Sequence, residues 1–133
     1  MTASRFSDEA LASWRKLLQA EARQLREAIE FDRQQLDGRA DSLPSAFDDG
    51  RDEPATDVLR DVAVSELARR ARELDSVEAA LARIDEGVYG TCVECGNGIA
   101  IERLRASPHS TTCLACQSIR ERSRGHALRP PRL

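Results

Sequence analysis

Aromatic residues make up only 4% of this 133-residue chain, so there is little material for a thick globular core. No apolar run is long enough to span a bilayer. The opening stretch, MTASRFSDEA, lacks the apolar core of a signal peptide. No membrane association is expected. An excess of positive charge is also missing. The net charge is −3, which argues against nucleic-acid binding driven by overall charge. Lys16 is the single lysine, so the basic residues are otherwise arginines. The sequence has no nucleophile with a base at a telling spacing and no glycine-rich phosphate loop, so it is not read as an enzyme. What is abundant is charge, at 32%, together with Ala, Leu, Glu and Arg. That composition favours long helices with a narrow apolar seam, and the length limits the chain to one compact domain or one small composite.

Two helical stripes meet that expectation. Ser7 can cap a helix whose first turn carries Asp8 and Glu9, the charge sign favoured there. Leu11, Trp14, Leu18, Ala22, Leu25, Ile29 and Leu36 then recur at steps of three, four or seven, which predicts a helix ending near Gly38. From Gly38 to Thr56 the periodicity vanishes, and Pro44, Gly50 and Pro54 interrupt any helix. A second stripe, Ala63, Leu67, Ala71, Leu74, Val77, Leu81, Ile84 and Val88, predicts a helix from about Thr56 or Asp57 to Gly87. Two helices of about thirty residues, roughly 45 Å each, joined by a loop suggest an antiparallel hairpin packed as a coiled coil. Because the paired helices cover each other's seams, a monomer is expected.

The four cysteines are set as Cys92-x-x-Cys95 and Cys113-x-x-Cys116. Two thiolates at i and i+3 can wrap one tetrahedral metal from a tight turn. A second such turn completes a closed four-sulfur shell, with spacing in the range of structural zinc sites. A closed shell leaves no open position for water, so one structural Zn2+ is expected rather than a reactive one. The segment is too small to fold on core burial alone, which gives the metal a reason to be there. Gly90, Gly96 and Gly98 flank the first pair where the backbone must turn toward sulfur. His109 is read as a solvent-facing loop residue. The competing readings are two disulfides, four idle thiols, or thioredoxin-type redox pairs, the last requiring a βαβ setting that no alternating strand pattern supplies. Thiols held by a metal fit a reducing compartment, hence a cytoplasmic location.

The fold class read from these features is mainly α: an antiparallel coiled-coil helical hairpin with a small four-cysteine zinc subdomain and a short C-terminal helix. The hairpin spans residues 1–86 with an acidic tip loop at about 38–56. The zinc subdomain spans 87–124, with its helix from about Leu114 to Arg124, and residues 125–133 are expected to be disordered. Between Asp41 and Asp61 seven acids stand against two arginines, a local charge near −5. Acid concentrated at the end of a rigid rod can attract a basic channel or reach a bound metal ion, or can simply keep a solvated loop soluble.

The stretch GVYGTCVECGNGIAIERLRASPHSTTCLACQ, residues 87 to 117, resembles the C4 zinc finger of the DksA/TraR family of bacterial transcription regulators. Tyr89-Gly90, Gly96, Ile99, Arg103-Leu104 and Pro108 match beyond the cysteines, and the hairpin agrees with the family's architecture. The resemblance implies a protein that binds bacterial RNA polymerase and inserts its coiled coil through the secondary channel, modulating transcription initiation without reading promoter sequence. The family's tip motif is Asp-x-x-Asp-x-Ala. Asp61-Val62-Ala63 fits its second half, whereas Val58 holds the place of the first aspartate and Asp57 lies one residue earlier. That slip moves the carboxylate about 100° around the helix. Members responsive to the alarmone ppGpp use basic residues near the zinc subdomain, which makes Arg69, Arg72, Arg103 and Arg120 the candidate contacts. Gln117, directly after the last cysteine, departs from the lysine of some responsive members. Two other functions remain open at this stage. One is a DNA-binding zinc finger using Arg120, Arg122 and Arg124, and the other is a redox sensor in which oxidation of the thiolates ejects the metal.

Overall fold

The computed structural model describes residues 4–41 and 54–128. The tip-loop acids Asp48, Asp49, Asp52 and Glu53, and residues 129–133, lie outside the described residues. Among the described residues four helices follow in order: α1 Asp8–Asp41, α2 Pro54–Glu86, α3 Ile101–Ala106 and α4 Leu114–Leu128. Among the described residues there is no strand, only an isolated antiparallel bridge between Thr91 and Gly98. The protein is mainly helical, as its composition implies.

The helix ends follow local chemistry. Ser7 caps α1 as expected: its Oγ accepts from the Ala10 amide at 3.2 Å, and its carbonyl accepts from Leu11 at 3.0 Å. The helix then runs through Gly38 to Asp41, past its expected end, since one glycine inside a helix costs only about 1 kcal/mol. Pro54, read as a breaker, instead opens α2. A first-turn proline has no amide to waste, and its fixed φ already suits a helix. Asp57 therefore lies within the first turn of α2. The helix closes at Gly87, which adopts φ +77°. At the far end α4 continues beyond Arg124 to Leu128. Residues 125–128, expected to be disordered, are thus helical, with Gly125 carried inside the element.

Two compact units make up the chain, Met1–Leu18 with Ser76–Leu133, and Gln19–Asp75. In the first, Arg15 of α1 pairs with Asp85 of α2 at 2.7 Å. In the second, Asp32 of α1 pairs with Arg70 of α2. Within each unit a stretch of α1 is thus paired with a stretch of α2.

Burial is concentrated on part of the two stripes. Leu18, Val77, Ala80 and Ile84 are buried in the first unit, Ala22 and Leu25 in the second. Leu11, Trp14, Ile29, Leu36, Leu67, Leu74 and Leu81 are only half-buried, and Ala71 is exposed while Ala80 takes a core place. Two helices alone enclose one narrow line of side chains. The flanks of each stripe stay open.

Candidate metal centre

Each cysteine pair sits in a turn whose backbone is already committed. In the first, the Gly96 amide donates to the Cys92 carbonyl at 3.0 Å and the Cys92 amide to Asn97 O at 2.8 Å. Gly96 has φ +75°, a conformation in which a Cβ is strained. The second pair begins at the N-terminal end of α4. There the Cys116 amide points at Cys113 Sγ, 3.5 Å away, and Gln117 donates to the Cys113 carbonyl at 3.0 Å. A hydrogen bond from the Val93 amide to Thr111 O, 2.9 Å, ties the two turns together.

The four sulfurs all lie within 4.8 Å of one another, and Cys95 Sγ and Cys113 Sγ are 3.8 Å apart. A tetrahedron with zinc–sulfur bonds of about 2.3 Å has an edge of about 3.8 Å. The cysteines are free thiols rather than disulfides. Burial pushes the Cys92 thiol up, but amides of Cys113, Cys95 and Glu94 aimed at its sulfur outweigh this and bring it down to about 6. Hydrogen bonding with the Cys113 thiol, with burial and the other two sulfurs, drives Cys116 up to about 12. Four sulfurs this close cannot all become thiolates without a cation between them, and a soft divalent ion such as zinc suits the donor set.

The shell around the sulfurs explains residues that spacing left unassigned. Tyr89 is 1% exposed. It packs between Phe6, 6.1 Å between ring centroids, and Trp14, 5.9 Å, and its hydroxyl donates to Pro108 O at 2.7 Å. Gly90 turns at φ +83° with Phe6 lying where a Cβ would stand, only 2.3 Å away. Arg5 donates to Gly90 O at 2.9 Å and to Ile99 O, while its guanidinium stands 2.8 Å from where Gly98 would carry a Cβ. Gly98 has no positive φ, and a Cβ there would displace only the end of the Arg5 side chain. Arg83 at the end of α2 donates to Val88 O and Thr91 O. The helix α3, missed from the sequence because six residues show no period, buries Leu104. His109 is half-buried, not solvent-facing, with Nε2 3.4 Å from Ser107 Oγ, and it is not among the metal-competent group.

The remaining candidates are distributed between the two units. Arg103 and Arg120 line one groove of about 430 Å³ with Arg124, Ser107 and Gln117. Both are engaged, Arg103 donating to Thr112 O at 3.0 Å and Arg120 to Glu94. Arg69 and Arg72 belong to the other unit. Arg69 pairs with Glu66 at 2.9 Å and Glu73 at 3.6 Å, and its hydrogen bond holds the Glu66 carboxyl below the usual range. Asp57 and Asp61 are exposed on α2. Ala63 is half-buried and lines a groove with Phe31, Leu36 and Arg70.

Long paired helices and a four-cysteine cluster are the elements of a helical zinc-finger protein. Residues 87–122 match the family described as the prokaryotic DksA/TraR C4-type zinc finger. The solved structure of transcription factor DksA2 from Pseudomonas aeruginosa superposes with a TM-score of 0.71 at 31% identity, covering 90% of this chain and 89% of that one. The DnaK suppressor protein of Agrobacterium tumefaciens gives 0.53 at 27% identity, covering 90% and 99%. The RNA polymerase-binding transcription factor DksA of Escherichia coli K12 is 27% identical over 118 residues, 86% of this chain and 74% of that protein. The chain belongs to the DksA/TraR C4-type zinc finger family.

Proposed function

We propose that this chain is a non-enzymatic transcription regulator that binds bacterial RNA polymerase. It enters the secondary channel with the hairpin and modulates initiation through the acidic start of α2. The observation that carries this reading is the likeness to DksA2 along nine-tenths of both chains, joined to a finger whose four sulfurs form one zinc-sized cluster. One structural zinc holds the finger, the protein acts in the cytoplasm as a monomer, and it reads no DNA sequence itself. ppGpp, if used, would be met by Arg103 and Arg120, with Arg69 and Arg72 the further candidates.

Competition for core RNA polymerase against a known secondary-channel binder tests the partner. Mutually exclusive binding is expected, and no binding at tens of micromolar would overturn the reading. Asp61→Asn tests the tip. Exposed charges contribute little to stability of a contact, so affinity should stay within about fivefold, while transcript output at a responsive promoter changes. A collapse of affinity would make Asp61 an anchor instead.

A further inference from the structure

Asn97 is the single asparagine of the chain, and a glycine, Gly98, follows it. Both are exposed, where the chain leaves the first cysteine turn. Backbone bonds flank the pair on either side. The Cys92 amide donates to Asn97 O at 2.8 Å and the Ile99 amide to Gly90 O at 2.7 Å, with Gly98 facing Thr91 between them. A residue in that middle place of an antiparallel pair is not hydrogen-bonded across it, so its own amide points away from the facing segment. Among the described residues nothing engages the Gly98 nitrogen, and no side chain on its own residue screens it. Immediately before it stands the Asn97 carboxamide, an acyl group with ammonia to lose.

We propose that Asn97-Gly98 is a site of spontaneous deamidation that the zinc-loaded turn holds back, so that loss of the metal becomes irreversible. The Gly98 nitrogen bonds to Asn97 Cγ and gives up its proton, while the Cγ–Nδ2 bond breaks and ammonia leaves. Water then opens the cyclic imide at either carbonyl, leaving aspartate or isoaspartate at position 97. No oxidant or reductant takes part. Isoaspartate routes the main chain through the former side chain, and the carbonyl that accepted from Cys92 becomes a pendant carboxylate. The turn gains a methylene, and a negative charge arrives beside four sulfurs that already crowd one another. Closing the imide requires Asn97 Cγ to swing onto the next nitrogen. The two flanking bonds, and those of Arg5 to Gly90 O and Ile99 O, oppose that swing while the turn is folded. Metal binding is folding energy in a segment this small, so removing zinc releases the reaction. The inference rests on the zinc reading above and not on the polymerase one.

The test incubates full-length protein under reducing conditions, zinc-loaded or stripped by chelation, beside an Asn97→Gln variant whose longer arm cyclises slowly. Peptide masses follow the amide-to-acid change at position 97. Asp37-Gly38 and Asp49-Gly50 can pass through the same imide but regain the water they lose, so they leave the mass unchanged. Zinc is then returned, and its affinity is read by competition with a coloured chelator. Amide loss should run about tenfold or more faster in stripped protein, where the turn is open. Aged stripped protein should rebind zinc about 10- to 100-fold more weakly, as when the bond that orients a metal ligand is lost. Stripped Asn97→Gln aged alongside it should rebind like fresh protein. Equal rates in loaded and stripped protein, or an intact Asn97 in both, overturn the proposal, and so does full recovery of zinc affinity after amide loss. Fresh protein that takes up no zinc would remove the zinc reading itself, and the proposal with it.

Discussion

Removing zinc, by chelation or by Cys92→Ser, is expected to unfold the cysteine region while much of the hairpin stays helical. Structural zinc in small fingers contributes about 10–16 kcal/mol of apparent binding free energy, and that binding energy is folding energy. The segment from Thr91 to Cys116 contributes few buried apolar side chains, Cys92, Ile99 and Leu104. α3 and α4 hold 6 and 15 residues against 34 and 33 in the hairpin. If both melt, about a quarter of the helical circular-dichroism signal disappears. Limited proteolysis should then cut first around Arg103 and Arg105. Because every ligand must shed its proton to bind, acid should also release the metal. Unchanged protease resistance in metal-free protein would refute the structural role.

Tyr89→Ala should be the most damaging single change away from the sulfurs, at about 3–5 kcal/mol for an aromatic lost from a packed site. The ring is almost wholly buried and is the shared neighbour of Phe6 and Trp14. It therefore holds the start of α1 to the chain entering the first cysteine turn. Tyr89→Phe keeps the ring and removes only the donation to Pro108 O, a loss of about 1 kcal/mol. Chemical denaturation of the zinc-loaded protein separates the two. Equal midpoints for Tyr89→Ala and unaltered protein would remove Tyr89 from this role.

The helices and the four-cysteine cluster were legible because each is a local signal along the chain. Leu18, Ala22 and Leu25 fall on one line at helical spacing, and two Cys-x-x-Cys turns specify their geometry almost by themselves. The errors lie where local signals are ambiguous. Pro54 can break or begin a helix, and only the residues that follow decide which. Gly38 and Gly125 are tolerated inside helices because their cost is small beside the continuity of the backbone hydrogen bonds. Leu104 in α3 is a core residue on an element too short to show a period.

The sequence by itself determined the mainly helical class, the two apolar stripes, the two Cys-x-x-Cys turns and the acidic start of α2, since spacing along the chain encodes each of them. Only the tertiary structure decided what the arginines do. Arg5, Arg83 and Arg103 spend their donors on backbone carbonyls around the cysteine turns, and Arg120 on Glu94. No periodicity announces such roles. A guanidinium reaches carbonyls far along the chain, as Arg5 reaches Gly90 and Ile99, and which ones it meets depends on how the turns come together. The same holds for Tyr89, whose importance comes from the rings folded around it rather than from its neighbours in sequence.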